Sequence, residues 1–366
     1  MEIFKGFYSL NPIYQMFFTS TTISCFFTVY LVAHLEIETL YSVMVSSVTL
    51  VMVIIYLTKF AAYPSKWKKG DIFLLVLTFI TVFHLPAHFV SAGRISYRRE
   101  KKDGLLIEID KYILGWLVKD GKISSWIDNS EYIGPHTMRG KFLNNSLQIF
   151  YFFYYLIPYV SMHFMSLLNC LREIIFRYKH HGLKSSSHKK TWNTALFVFS
   201  VYLFTCVLVF LVNTLVPAES PRKYLKKEYK HSLNLSGFGK YLNKRSKDEQ
   251  SANSFPSGHV AEIFSIGLSY IGMKNYLIGV TVIICTILIG LATVFLRYHY
   301  FCDIIAGIFA SCLSFFTNYY FGYKKYLNLL EKENEKINKT IIIDNQTPDS
   351  KGHISLAEET ENKPKV

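Results

Sequence analysis

The chain has 366 residues, 51% of them hydrophobic and 16% aromatic, and only 18% charged. A soluble domain of this length has no need of so many long apolar runs, so that class is set aside. The 40 Lys and Arg against 26 Asp and Glu leave a net charge of +14. With no basic aromatic module beside it, this charge argues against nucleic acid and for membrane topology and anionic lipid.

A bilayer core of roughly 30 Å takes about twenty apolar residues per helix. Eight stretches approach that length, at 12–34, 39–62, 71–92, 144–169, 193–216, 257–273, 276–296 and 303–322. They predict an all-α, polytopic transmembrane helical bundle of about six to eight spans. The first stretch is too long for a signal peptide and lacks a small-residue cleavage pattern, so it is expected to stay in the membrane. The sixth is short unless its helix begins at Pro256, a favourable first-turn position.

Four regions follow: N-terminal helices over 1–92, a loop over 93–143, a catalytic membrane domain over 144–322 and a polar tail over 323–366 that is expected to be disordered. Within the loop, Leu105 to Leu117 has the pattern of a short amphipathic helix, either lying at the interface or packed on the bundle. Lys59, Lys66, Lys68 and Lys69, then Arg172 to Lys190, Lys274, Lys324 and Lys325 fall on one side, which the positive-inside rule makes cytoplasmic. Loops 93–143 and 217–256 then face the periplasm or lumen. The six cysteines show neither CxxC pairs nor metal-ligand spacing and read as small buried hydrophobes.

Two polar motifs stand at the mouths of these apolar runs, Ser254-Phe255-Pro256-Ser257-Gly258-His259 and Arg297-Tyr298-His299-Tyr300-Phe301-Cys302-Asp303. Ionisable residues are costly at membrane helices and mark function. The predicted topology brings His259, Arg297, His299, Asp303 and Arg222 to one face. A neutral imidazole can attack phosphorus to form a phosphohistidine, and His299-x-x-x-Asp303 sets a carboxylate one helical turn from the ring to hold its other nitrogen. His259 is placed to protonate a leaving oxygen. Ser257 and Gly258 open a helix whose free N–H groups favour phosphate, and Arg222 and Arg297 can brace phosphoryl oxygens. No metal or cofactor is called for. Singly, each residue has a plainer reading: a loop entering a helix, interfacial snorkelling of Arg297 and His299, an N-terminal cap at Asp303.

Together these residues resemble the type 2 phosphatidic acid phosphatase and vanadium haloperoxidase superfamily. Pro256-Ser257-Gly258-His259 matches its second block and His299-x3-Asp303 the end of its third; the resemblance covers roughly residues 144–322, with a weaker echo at Asp110–Gly115. It implies His299 as nucleophile, Asp303 as its orienting acid, His259 as general acid, and Ser257 and Gly258 as phosphate binders. The first block departs: Pro221 precedes Arg222, and Leu215 stands where a lysine falls. In the third, Ala292-Thr293 replaces Ser-Arg, and Arg297 lies two residues before His299. That form looks more like the inositol phosphorylceramide synthase branch.

Among the remaining polar residues, His84 and His88 read as an interfacial pair rather than half a metal site, and His163 as a core histidine bonded to a neighbouring helix. Glu262, one turn past His259, either tunes that histidine or favours the helix N-terminus. The expected protein is an integral-membrane enzyme acting on phospholipid phosphate esters through phosphohistidine. A lipid phosphatase is the first expectation and a head-group transferase the alternative; a transporter and a catalytically silent scaffold are the readings from other classes.

Overall fold

The structure, a computed structural model, describes residues 2–32, 40–61, 99–161, 187–233, 235–237, 240, 254–332 and 335. The predicted span at 71–92, with His84 and His88, lies outside the described residues, as do His163 and most of the tail.

All regular structure among the described residues is helical. Helix α1 is Glu2–Ser9, α2 is Pro12–Val32, and α3 is Leu40–Ile55, which continues in wider π-helical winding over Tyr56–Ala61. Asn11 starts α2 by accepting the N–H groups of Ile13 and Tyr14 at 3.0 and 3.1 Å, with Pro12 in the first turn. The loop region carries α4, Asp103–Leu114, and α5, Ile123–Asp128. Helix α6 is Met138–Tyr159 and α7 is Ser187–Leu215. Thr137 caps α6 through the Gly140 N–H at 2.9 Å, so that helix starts six residues earlier than the apolar run suggests.

The last three helices, α8 (Gly258–Gly272), α9 (Tyr276–Phe295) and α10 (Phe301–Asn318), form a compact hairpin-and-return unit. Helix α8 is its centre and packs against α6, α7, α9 and α10. Ser257 accepts the Val260 N–H, so the helix begins after Ser257 rather than at Pro256. Its 15 residues rise about 22 Å, less than a hydrocarbon core.

Among the described residues, three helices are long and apolar enough to cross a membrane: Ala195–Leu215 within α7, Tyr276–Phe295, and Phe301–Lys332, in which α10 runs on past its end.

Small residues let these helices touch. A Cβ on Gly267 would lie 3.2 Å from the Gly279 carbonyl oxygen, and one on Gly279 3.0 Å from that of Gly267, so α8 and α9 meet backbone to backbone. At Gly307 an added Cβ would sit 2.7 Å from the Ser257 carbonyl oxygen. That contact seats the start of α10 directly on the start of α8. A larger core of Phe17, Phe18, Phe197, Phe210, Leu203, Ile263 and their neighbours joins α2, α3, α7 and α8.

Of the two readings for the loop helix, the packed one is seen. Asp103, Leu106 and Asp110 are buried on one face of α4, which docks at the N-terminus of α10. Tyr112 and the nearby Trp116 remain exposed.

Candidate active site

The site forms where α8 and α10 begin and α9 ends. Helix α9 closes with the N–H groups of Tyr298 and His299 both directed to the Thr293 carbonyl, at 2.7 and 3.2 Å. Arg297 takes the left-handed conformation here, with φ at 65°, a position that glycine usually fills. This reversal turns the chain so that His299 comes back over α8.

His299 is only 5% exposed. Its Nδ1 faces two acceptors, the Ser254 carbonyl oxygen at 2.8 Å and Asp303 Oδ2 at 3.1 Å, and therefore carries the ring proton. The Nε2 of His299 is then a bare lone pair. It meets Nδ1 of His259 at 3.0 Å, and Nε2 of His259 in turn meets the Tyr151 hydroxyl at 2.8 Å.

Asp303 is fully buried, and its Oδ2 also accepts the Ser254 hydroxyl at 2.6 Å and the Tyr300 N–H at 2.9 Å. It is the third residue of α10, completing a capping box with Tyr300. The cap and the orienting carboxylate are thus one group in two roles. Ser257 spends its hydroxyl oxygen on the α8 cap, and its N–H donates to the Asp303 carbonyl at 2.9 Å, which fastens the two motifs to each other. Gly258 is the first residue of α8, in a turn whose N–H groups lack intrahelical acceptors.

The two arginines go to different places. Arg222 donates its backbone N–H to the Arg297 carbonyl at 2.9 Å and its Nη2 to the Leu296 carbonyl at 3.2 Å. Its guanidinium lies 4.5 Å from the centre of the Tyr298 ring, which stacks on Tyr151 at 4.6 Å, so Arg222 stands two rings from His259. Arg297 is 6% exposed and bonds Asp128 Oδ1 through Nη2 at 2.5 Å and the His231 carbonyl at 3.1 Å, beneath the Tyr229 ring at 3.9 Å. Burial pulls its pKa below the usual arginine value, opposed by the Asp128 charge. The sequence placed this guanidinium on phosphate; the structure places it on Asp128.

Two acids of α4 beside the site had no role from sequence. Asp110 accepts the N–H groups of Phe301 and Cys302 at 2.9 and 2.7 Å, and Asp103 accepts the Tyr300 hydroxyl at 2.8 Å. Two carboxylates of α4 thus clamp the residues between His299 and Asp303. Their signal was present as Asp103, Leu106 and Asp110 on one helical face. Glu262 is buried and receives the Tyr154 and Tyr202 hydroxyls at 3.1 and 3.0 Å. Its link to His259 runs through Tyr154, whose ring packs on the imidazole at 4.3 Å.

Burial raises the pKa of both Asp103 and Asp110 to about 6, against the hydrogen bonds that lower it. A carboxyl whose folded pKa exceeds its unfolded value of about 4 stabilises fully below pH ~4 and loses that contribution as pH rises through ~6. On the order of 2–3 kcal/mol per group is involved. Hydrogen-exchange protection of α4 is therefore expected to fall between pH 4 and 7, and Asp110→Asn to flatten that fall. A protection profile independent of pH would contradict the burial-driven shift.

A bundle of apolar helices thus gathers two histidines and a carboxylate at one end, the arrangement expected from the sequence motifs. Comparison with known proteins agrees. Residues 186–317 match the PAP2 superfamily, which takes in both site motifs. The chain is also similar to a PA-phosphatase related-family protein of Dictyostelium discoideum, at 31% identity over 319 residues, covering 78% of this chain and 56% of that protein. The chain thus spans about half the length of the curated relative it matches. No solved structure matches it. Residues 186–317 are thus similar to the superfamily that the two motifs resemble, and the likeness to the relative extends over most of the chain.

Proposed function

We propose that the chain is an integral-membrane enzyme that cleaves lipid phosphate esters through a phosphohistidine at His299, acting first as a lipid phosphatase. The observation that carries this reading is the bare Nε2 of His299, turned toward a second histidine by Ser254 and Asp303. As that lone pair forms the N–P bond, the P–O ester bond breaks. The alcohol leaves with the electron pair and takes the proton from His259 Nδ1. Water then attacks phosphorus and returns a proton to His259, freeing phosphate and His299. Arg222, Ser257 and Gly258 are assigned to the phosphoryl oxygens, and Arg297 to holding the catalytic turn. The site opens on the extracytoplasmic face of a bundle of six to eight spans, reached sideways by a lipid.

A second reading, a head-group transferase, draws on the Arg297-x-His299-Tyr300-x-x-Asp303 form. The two part on the acceptor. Detergent-purified protein given labelled phosphatidic acid is expected to yield an acid-labile phosphoenzyme and free phosphate. Turnover of phosphatidylinositol only in the presence of a ceramide-type acceptor would select the transferase, and failure to label the enzyme with either lipid would sink both.

A further inference from the structure

Resting on the reading above, we propose that Tyr151 is a positioning residue that fixes the tautomer of His259 and shares its hydroxyl proton with that ring during transfer. The chain of donors follows from groups at its far end. The Ser254 carbonyl and the Asp303 carboxylate can only accept from His299 Nδ1, so Nε2 of His299 can only accept. Its partner at 3.0 Å, His259 Nδ1, must then carry a proton. In a neutral ring this leaves His259 Nε2 bare, and the Tyr151 hydroxyl at 2.8 Å is its donor. Direction thus runs one way, from Tyr151 to His259 to His299.

The arrangement answers a difficulty in the chemistry. A neutral imidazole that gives up its only proton becomes an imidazolate, a very poor product. When His259 Nδ1 passes its proton to the leaving oxygen, Nε2 becomes strongly basic and draws the proton from Tyr151. In the second half-reaction water loses a proton to Nδ1, and Nε2 returns the other to the tyrosinate. Proton count balances in each half, and no outside acid is needed.

The titratable groups facing His259 are His299 from the turn before α10, Tyr151 and Tyr154 from α6, and Glu262 on its own helix, the last reached through Tyr154. Tyr151 is the one whose hydroxyl reaches Nε2. Its ring is fixed independently by stacking on Tyr298 at 4.6 Å and 14°, so removing the hydroxyl leaves the packing in place.

Tyr151→Phe in histidine-¹⁵N-labelled protein tests this. In the wild type the His259 spectrum is expected to show a proton on Nδ1 and a bare Nε2. In Y151F the other tautomer is expected to appear, and kcat for phosphatidic acid to fall by roughly 10–100-fold with KM within about twofold. A His259 tautomer unchanged by Y151F overturns the proposal, and so does a kcat within about twofold of wild type. Should Y151F not fold, 3-fluorotyrosine at position 151 keeps the shape with a more acidic hydroxyl. It should shift the pH profile of kcat, and an unshifted profile overturns the proposal. Transfer that survives His299→Ala would instead defeat the phosphohistidine reading, while the tautomer is read from spectra whatever the turnover.

Discussion

Replacing His299 with alanine is expected to lower phosphate release from phosphatidic acid by about 10⁴-fold or more, the scale on which a covalent nucleophile fails when removed. The atom lost is the bare Nε2, and the neighbouring ring does not substitute for it. His259 Nδ1 carries the proton and its Nε2 is bonded to Tyr151. The fold should persist, because Asp303 Oδ2 keeps the Ser254 hydroxyl and the Tyr300 N–H. His259→Ala should behave differently. A general acid contributes about 10²–10⁴-fold, and its loss matters less when the leaving group needs no proton. A nitrophenyl phosphate ester is therefore expected to restore much of the activity of His259→Ala and none of that of His299→Ala. Release rates in detergent micelles measure both, with thermal unfolding of each variant as the control. Rescue of both variants by the activated ester would remove the assignment of separate roles.

The reason this pair could be brought together from sequence is that each histidine lies in a short motif at the start or end of an apolar run. A helix hairpin returns its ends to one level, so spacing alone predicted that α8 and the turn after α9 would meet. Asp303 was legible for the same reason, being four residues from His299. The helices themselves were read from apolar length, which located α2, α3, α7, α9 and α10 well. It placed α8 within a residue at each end but misjudged the start of α6, which is fixed by the capping hydroxyl of Thr137 rather than by hydropathy.

The supporting groups were less legible, because their partners are backbone atoms and rings far away in the chain. Asp110 serves amides 191 and 192 residues distant, and Asp128 a guanidinium 169 residues distant. No local period encodes such a bond. Nothing local sets Tyr151 apart from the other aromatics of its apolar helix, of the kind that fill interfaces. Arg297 was the instructive case. Its residue type and position fit a phosphate clamp, but a guanidinium goes to whichever carboxylate the fold buries beside it.

That carboxylate carries the second large prediction. Asp128 is fully buried, accepts Arg297 Nη2 on Oδ1, and takes the N–H groups of Lys230 and His231 on Oδ2 at 2.7 and 3.3 Å. It therefore ties α5, the segment around His231 and the catalytic turn together at one point. Asp128→Ala leaves the Arg297 charge buried without its partner, which typically costs about 3–5 kcal/mol. The expected result is a large drop in unfolding midpoint together with lost turnover, since the left-handed turn at Arg297 that aims His299 loses its anchor. Arg297→Ala should cost a similar amount. The double variant should then be hardly worse than either single one, a coupling of roughly 1–3 kcal/mol in the double-mutant cycle. A phosphate-binding Arg297 predicts another pattern: Asp128→Ala would have little effect on KM, Arg297→Ala would raise it steeply, and the two would add. Stability and KM measured across the four proteins of the cycle separate a pin from a clamp, and additive effects would return Arg297 to the phosphate.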